Sequence, residues 1–356
     1  MRSTLFHIPT TVDIGSASLP LFGWGVLVAV LAVAGLAGWA IAAARHGPQR
    51  ATTALALPLA IAAALLVWVL PALDDGAGVP IRGYGVMLLV AAAAGTWLSI
   101  VRGRRAGFDA DTILALGTEI FLWGLVGARL FYVLEYRGQF FGPHTSLGES
   151  LARIVNIAAG GLVVFGSLPT AALAAWRFAS RRGLSLPQLA DCVAPGLLVG
   201  LAIGRVGCFL NGCCYGGPCD LPWAVQFPEG TAPAAEFPGP HGGSLPLHPA
   251  QLYAAIDAAL LAALAIAFTP LARRDGAVFA LVLTLHPLSR ILLEAIRVDE
   301  PPAFGTPLSI SQLVSLLLLG LAVVAWWWIV RQPPRNPGGS TGCDPSPRSQ
   351  TSITTK

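Results

Sequence analysis

The sequence predicts an all-α, polytopic membrane helix bundle of about nine spanning helices, N-terminus outside and C-terminus inside, and three observations carry that prediction. The 356 residues are 55% hydrophobic and only 11% charged, too few charges to clothe an ordinary soluble fold. Mainly apolar runs of roughly 17–25 residues recur along the chain with short polar connections. Arginines gather in every second connection.

The runs are Phe22–Ala44, Ala54–Leu70, Tyr84–Ile100, Ile113–Tyr132, Gly161–Ala179, Leu189–Leu210, Pro249–Leu271, Ala277–Ile296 and Leu308–Val330. Arg205 interrupts the sixth and Arg290 the eighth. Orientation follows from the connections. One set carries Arg45 and Arg50, then Arg102, Arg104 and Arg105, then Arg181 and Arg182, then Arg273 and Arg274, then Arg331 and Arg335. The alternate set carries Asp74 and Asp75, the long stretch from Asn211 to His248, and Asp299 with Glu300. Positive charge favours the cytoplasmic side, which sets the N-terminus outside.

Met1 to Pro20 is polar, so no cleavable leader is expected and the first helix should carry the insertion signal. The tail over 332–356, rich in Pro, Gly, Ser and Thr, is expected to be a disordered cytoplasmic extension. Lys356 is the only lysine, the net charge is +4, and no basic patch interleaves with aromatics, so nucleic acid is not an expected partner.

Ionisable groups within a spanning helix are costly and mark function by default. Arg205 stands among glycines in Gly204-Arg205-Val206-Gly207-Cys208-Phe209-Leu210-Asn211-Gly212. Arg290 has Glu294 four residues on, on the same helical face. Two guanidiniums match a phosphate in planar, bidentate fashion, and phospholipid phosphates lie at hand for a membrane enzyme. The alternative is structural pairing, Arg290 with Glu294 and Arg129 with Asp191 or Glu119.

Cys208, Cys213, Cys214 and Cys219 lie within twelve residues. Their spacing lacks a C-x2-C pair and no histidine falls among them, so no metal is expected. An oxidised pair with Cys219 as one partner is expected instead, or apolar filling for Cys208. Cys192 and Cys343 are expected to be unpaired. His248 and Pro249 open the seventh run, with Tyr253 at headgroup depth. His286 precedes Arg290 by four residues and is a candidate proton acceptor.

From about Tyr84 to Val330 the chain resembles the phosphatidylglycerol:prolipoprotein diacylglyceryl transferases of bacteria. The resemblance rests on Arg82-Gly83-Tyr84-Gly85-Val86-Met87, Gly127-Ala128-Arg129, Gly160-Gly161-Leu162, Asp191 with Ala194-Pro195, Gly204-Arg205 through Asn211-Gly212 to Gly216, His248-Pro249-Ala250-Gln251-Leu252-Tyr253, and Ser289-Arg290 with Glu294 and Arg297. It implies a seven-helix core over 84–331 preceded by an added helix pair within 1–83. It implies transfer of a diacylglyceryl group from phosphatidylglycerol to the lipobox cysteine of prolipoproteins in the bacterial inner membrane, with no cofactor. By position, Arg205 and Arg290 would hold the phosphate, with Tyr84, Arg129, Asn211, Gly216, His248, Tyr253 and Glu294 binding substrate. The chain departs from the family where Phe165 replaces a histidine, Cys208 an asparagine, Cys213 an acid, Ala254 a glutamate and His286 a tyrosine. Either His286 supplies the base in place of the missing histidine, or substrate and lipid phosphate activate the thiol without one. A relative with a changed acceptor is the alternative reading, and a transporter a more distant one, for which no inverted repeat is visible.

Alkaline phosphatase fused after Asp75 should be active and fused after Arg105 inactive; the reverse pair would overturn the N-out orientation.

Overall fold

The computed structural model describes residues 4–14, 17–22, 24–141, 146–156, 160–298 and 305–334. Asp299, Glu300, Cys343 and the tail from 335 lie outside them. All nine apolar runs are helical. They form α1 (Val26–His46), α2 (Pro48–Ala64), α3 (Gly83–Arg105), α4 (Ala110–Glu135) and, after the short α5 (Arg137–Phe140) and α6 (Leu147–Val155), α7 (Val164–Arg182) and α8 (Leu186–Asn211). The short α9 (Ala232–Glu236) precedes α10 (Ala250–Phe268), α11 (Ala277–Glu294) and α12 (Ile310–Arg331). Seven of these, all but α2 and α7 among the long ones, are long and apolar enough to cross a membrane, so the chain is a multi-pass membrane protein.

Helix ends follow local chemistry. Asp109 caps α4 by accepting from the Thr112 N–H, and Ser309 with Gln312 forms a capping box at α12. Gly183 ends α7 in the left-handed conformation, with φ of 64°.

Two compact units divide the chain, Met1–Met87 with Leu210–Gly212, and Leu88–Phe209 with the chain from Cys213 onward. In the first, four short strands add to the helices: β1 (Thr4–Ile8) pairs antiparallel with β4 (Val79–Arg82), and β2 (Thr11–Ile14) with β3 (Ala17–Pro20). These strands had no counterpart in the hydropathy pattern. The same unit packs α1 against α2 through Gly35 and Leu59.

In the second unit small residues let helix backbones meet, the way association works where lipid removes any hydrophobic drive. A Cβ on Gly127 of α4 would lie 2.4 Å from the Gly166 carbonyl oxygen of α7, and one on Gly95 of α3 would lie 2.7 Å from the Gly196 oxygen of α8. Larger side chains fill in beyond these crossings. Ile113, Leu116, Phe178, Ala179 and Leu189 form one buried cluster, and Leu198, Ala262, Ala265 and Val278 another.

Gly166→Val should lower stability in detergent by about 1–3 kcal/mol, the usual range for overpacking. Gly117→Ala on the same α4, where a Cβ meets nothing within 4 Å, should be neutral or raise the melting temperature. Equal melting of the two variants would contradict the close crossing.

Candidate active site

α11 and the start of α12 build a charged centre. Arg290 and Glu294 stand one turn apart, and Nη1 of Arg290 lies 2.6 Å from Glu294 Oε2. Arg290 Nη2 donates to Ser311 Oγ at 2.9 Å. Ser309 Oγ donates to Glu294 Oε1 at 2.8 Å, and Arg297 Nη1 lies 3.7 Å from Oε2. The side chains of Arg290, Glu294 and Arg297 are 14%, 4% and 7% exposed. Removing one partner of so buried an assembly would strand the others' charge. The expected pairing of Arg290 with Glu294 is therefore present.

α8 supplies Arg205 near its end. It is half-buried, and among the described residues it makes no hydrogen bond and no ion pair. Its charge acts on His286 together with that of Arg290, and on Cys214 together with that of Arg297, so the three guanidiniums share one neighbourhood. Asp257 of α10 also acts on His286 and accepts a 2.8 Å hydrogen bond from Ser289 Oγ. Three guanidiniums thus face two carboxylates, a surplus of positive charge in a membrane helix bundle. Such a surplus suits a singly charged phosphodiester. His286 Nδ1 is buried and has no hydrogen-bond partner among the described residues.

The chain between α8 and α10, expected only as a long connection, is a packed lobe. Tyr215, Phe227 and Leu247 form its core, with Phe209 and Phe237 against them, and Tyr215 donates to Glu236. Gly216 and Gly217 thread between the start of α10 and the end of α11. Gly216 N–H donates to the His248 carbonyl at 3.1 Å, His248 N–H to Gly217 at 3.0 Å, and Gly217 N–H to Ile296 at 3.0 Å. A Cβ on Gly216 would come within 2.6 Å of His248 Cβ. Gly216 therefore acts through its backbone, placing Arg297 beside it. Tyr253 hydroxyl accepts from Trp223 Nε1 at 2.7 Å and lies 3.4 Å from His248 Nδ1. Gln251 Nε2 donates to the Cys213 carbonyl at 2.7 Å.

Cys208, Cys213, Cys214 and Cys219 are all free thiols, so the expected pair with Cys219 is not formed. Its backbone N–H instead joins Cys219 to Pro246 within the lobe, at 3.0 Å. The other three converge, their Sγ atoms all within 4.8 Å of one another. Cys214 has a left-handed backbone, φ 61°, alone among the described non-glycine residues, at a cost of about 1–2 kcal/mol. Its thiol is held well below the ordinary range. Hydrogen bonds from Cys208 and Cys213 favour the thiolate most, burial opposes it, and the guanidiniums of Arg297 and Arg205 favour it further.

Arg129 departs from the expected pairing with Asp191 or Glu119. It donates to five carbonyls, those of Arg153, Ile154, Asn156, Gly160 and Gly161, at 2.6–3.0 Å. Its fork of donors suits this, whereas a carboxylate would satisfy only part of it. Gly161, at φ 81°, has no room for a side chain: a Cβ would lie 2.4 Å from the Tyr132 ring and 2.8 Å from Arg129 Nη1. Glu119 pairs with Arg177 at 2.8 Å. Asp191 accepts from the N–H groups of Gly276 and Phe279, at 2.8 and 2.9 Å, and so caps α11 from a neighbouring helix. Phe165 occupies the first turn of α7.

A family model described as prolipoprotein diacylglyceryl transferase matches residues 71–328. The chain belongs to this family. It is 33% identical to the phosphatidylglycerol--prolipoprotein diacylglyceryl transferase of Gloeobacter violaceus over 264 residues, 72% of this chain and 92% of that one. With the protein of the same name from Trichormus variabilis it shares 33% over 289 residues, 78% and 96% of the two chains. With that of Rhodopirellula baltica it shares 40% over 245 residues, 66% of this chain and 49% of the relative, so it spans about half of that relative's length.

The transferase-family span begins after α2 and contains every candidate site residue. Tyr84, on the first turn of α3, and Asn211, the last residue of α8, belong to the first unit, where both are exposed. Sequence reasoning missed Ser309, Ser311 and Asp257, and gave Ser289 no role of its own. Asp257 was within reach, because it interrupts an apolar run as Asp191 does. The Ser309 capping box was also readable, though its bond to Glu294 was not.

Glu294→Gln should lose about 3–5 kcal/mol of stability, the range for breaking a buried pair, read as a drop in melting temperature in detergent. Arg129→Lys, with three donors in place of five, should melt well below the parent; an unchanged melting temperature would contradict the carbonyl cage.

Proposed function

We propose that this protein transfers the diacylglyceryl group of phosphatidylglycerol to the lipobox cysteine of prolipoproteins in the bacterial inner membrane. The observation that carries the reading is Arg205, a half-buried guanidinium without a protein partner among the described residues, beside the Arg290–Glu294–Arg297 assembly.

In this reaction the cysteine sulfur attacks the glycerol carbon that carries the phosphate. A carbon–sulfur bond forms, the carbon–oxygen ester bond breaks, and glycerol phosphate leaves with an added negative charge. Arg205 and Arg290 bind the phosphate and stabilise that charge as it develops. Glu294 holds Arg290 and Arg297 in orientation, and Ser309 holds Glu294. The thiol proton goes to His286, whose Nδ1 stands without a partner among the described residues. Arg129 holds the carbonyls of Arg153, Ile154, Asn156, Gly160 and Gly161 and does not itself meet the lipid. Gly216, His248 and Tyr253 line the substrate path, and Tyr84 and Asn211 are assigned to substrate binding by their family positions alone. The family assignment removes the transporter alternative.

A second reading keeps the phospholipid site and changes the acceptor. Phe165, Cys208, Cys213, Ala254 and His286 are the positions that favour it, since each departs from the family pattern.

Purified protein given phosphatidylglycerol and a lipobox peptide should yield peptide bearing a diacylglyceryl thioether, detected by mass spectrometry. Arg205→Ala should lower the rate about 10²–10³-fold, as for loss of one preorganised charge donor. His286→Gln should lower it about 10²-fold, the lower range for a lost proton acceptor. Full activity of Arg205→Ala would overturn the phosphate assignment. Product on another thiol or hydroxyl acceptor, with none on the peptide, would favour the second reading.

A further inference from the structure

The transfer reaction leaves one cluster of reactive groups unused. Cys208 lies in the last turn of α8, and Cys213 and Cys214 follow that helix at the start of the lobe. Their Sγ atoms lie within 4.8 Å of one another. Metal–sulfur bonds of about 2.3 Å would put three sulfurs around a trigonal ion about 4 Å apart, so the cluster needs only small side-chain adjustments to close on one.

The backbone is shaped for this convergence. Side chains of consecutive residues ordinarily diverge, and the left-handed φ of 61° at Cys214 turns its thiol back toward the other two. Strain of that kind persists where the surroundings over-determine it, and it gathers at functional sites. The Cys213 backbone is fixed on both sides, its N–H donating to the Cys208 carbonyl at 3.2 Å and its own carbonyl accepting from Gln251 Nε2 at 2.7 Å. A disulfide does not account for the trio, because all three are free thiols and an odd number cannot all pair.

We propose that Cys208, Cys213 and Cys214 form a three-coordinate site for a soft monovalent ion, copper(I). Thiolates select soft ions, with copper(I), zinc and iron–sulfur clusters as the main candidates. Zinc takes four ligands in structural sites, and among the described residues no further Cys, His, Asp or Glu joins this group.

The test uses the full chain, purified in detergent with a phosphine reductant and titrated without oxygen with copper(I) held by a coloured chelator such as bicinchoninate. The parent should withdraw one equivalent of copper(I) per chain. Cys208→Ser, Cys213→Ser and Cys214→Gly should each withdraw at least tenfold less at the same chelator concentration, while Cys219→Ser should match the parent. Cys214→Gly is chosen because glycine adopts a left-handed φ without strain, so its folding, checked by melting temperature, is preserved. Equal withdrawal by the parent and a triple variant lacking the three thiols would overturn the site. So would loss in Cys219→Ser equal to that in the other variants. Retention of zinc in place of copper(I), measured by metal analysis after dialysis against both ions, would overturn the monovalent assignment.

Discussion

One carboxylate, Glu294, organises the charged centre. It lies almost wholly out of solvent, and a bare carboxylate there would be prohibitively unstable. Arg290 from the preceding turn, Arg297 from just beyond the helix and Ser309 from the next helix all converge on it. Their convergence fixes the end of α11 relative to the start of α12. It also fixes the Gly216–Gly217 thread, which bonds to Ile296 beside Arg297. Without Glu294, two buried guanidiniums would repel each other.

Around that centre, precise geometry comes from close backbones more than from bulky side chains. The Gly127–Gly166 and Gly95–Gly196 crossings bring helices together at distances no side chain would allow. Arg129 does the corresponding job where the backbone is irregular. Five carbonyls near a membrane helix need donors, and one guanidinium meets all five.

The helices were legible because lipid imposes a length and a polarity that hydropathy reports directly. The run Tyr84–Ile100 grew to Gly83–Arg105, because Arg102, Arg104 and Arg105 remain helical: Arg104 and Arg105 are exposed, and Arg102 donates to the Asp191 carbonyl and to Thr269 Oγ1. Arg290 with Glu294 was equally legible, since spacing of four residues puts side chains on one face. Arg129 was not, because its partners are backbone carbonyls 24 to 32 residues away, which carry no residue signature. The cysteines misled for a similar reason: spacing suggested pairing with Cys219, and the deciding fact was a single left-handed residue, Cys214. β1 pairs with β4, more than seventy positions distant and beyond any local pattern, whereas β2 and β3 pair with each other locally.

Ser309 has two duties, capping α12 through Gln312 and bonding Glu294. Those duties tie the order of synthesis to the onset of chemistry. α12 leaves the ribosome after α8 and α11, and until it is wound its first turn cannot present that hydroxyl. A growing chain that has already inserted Arg205 and Arg290 therefore still lacks the group that steadies their counter-charge. The charged centre at the end of α11 therefore stays incomplete until α12 is in place.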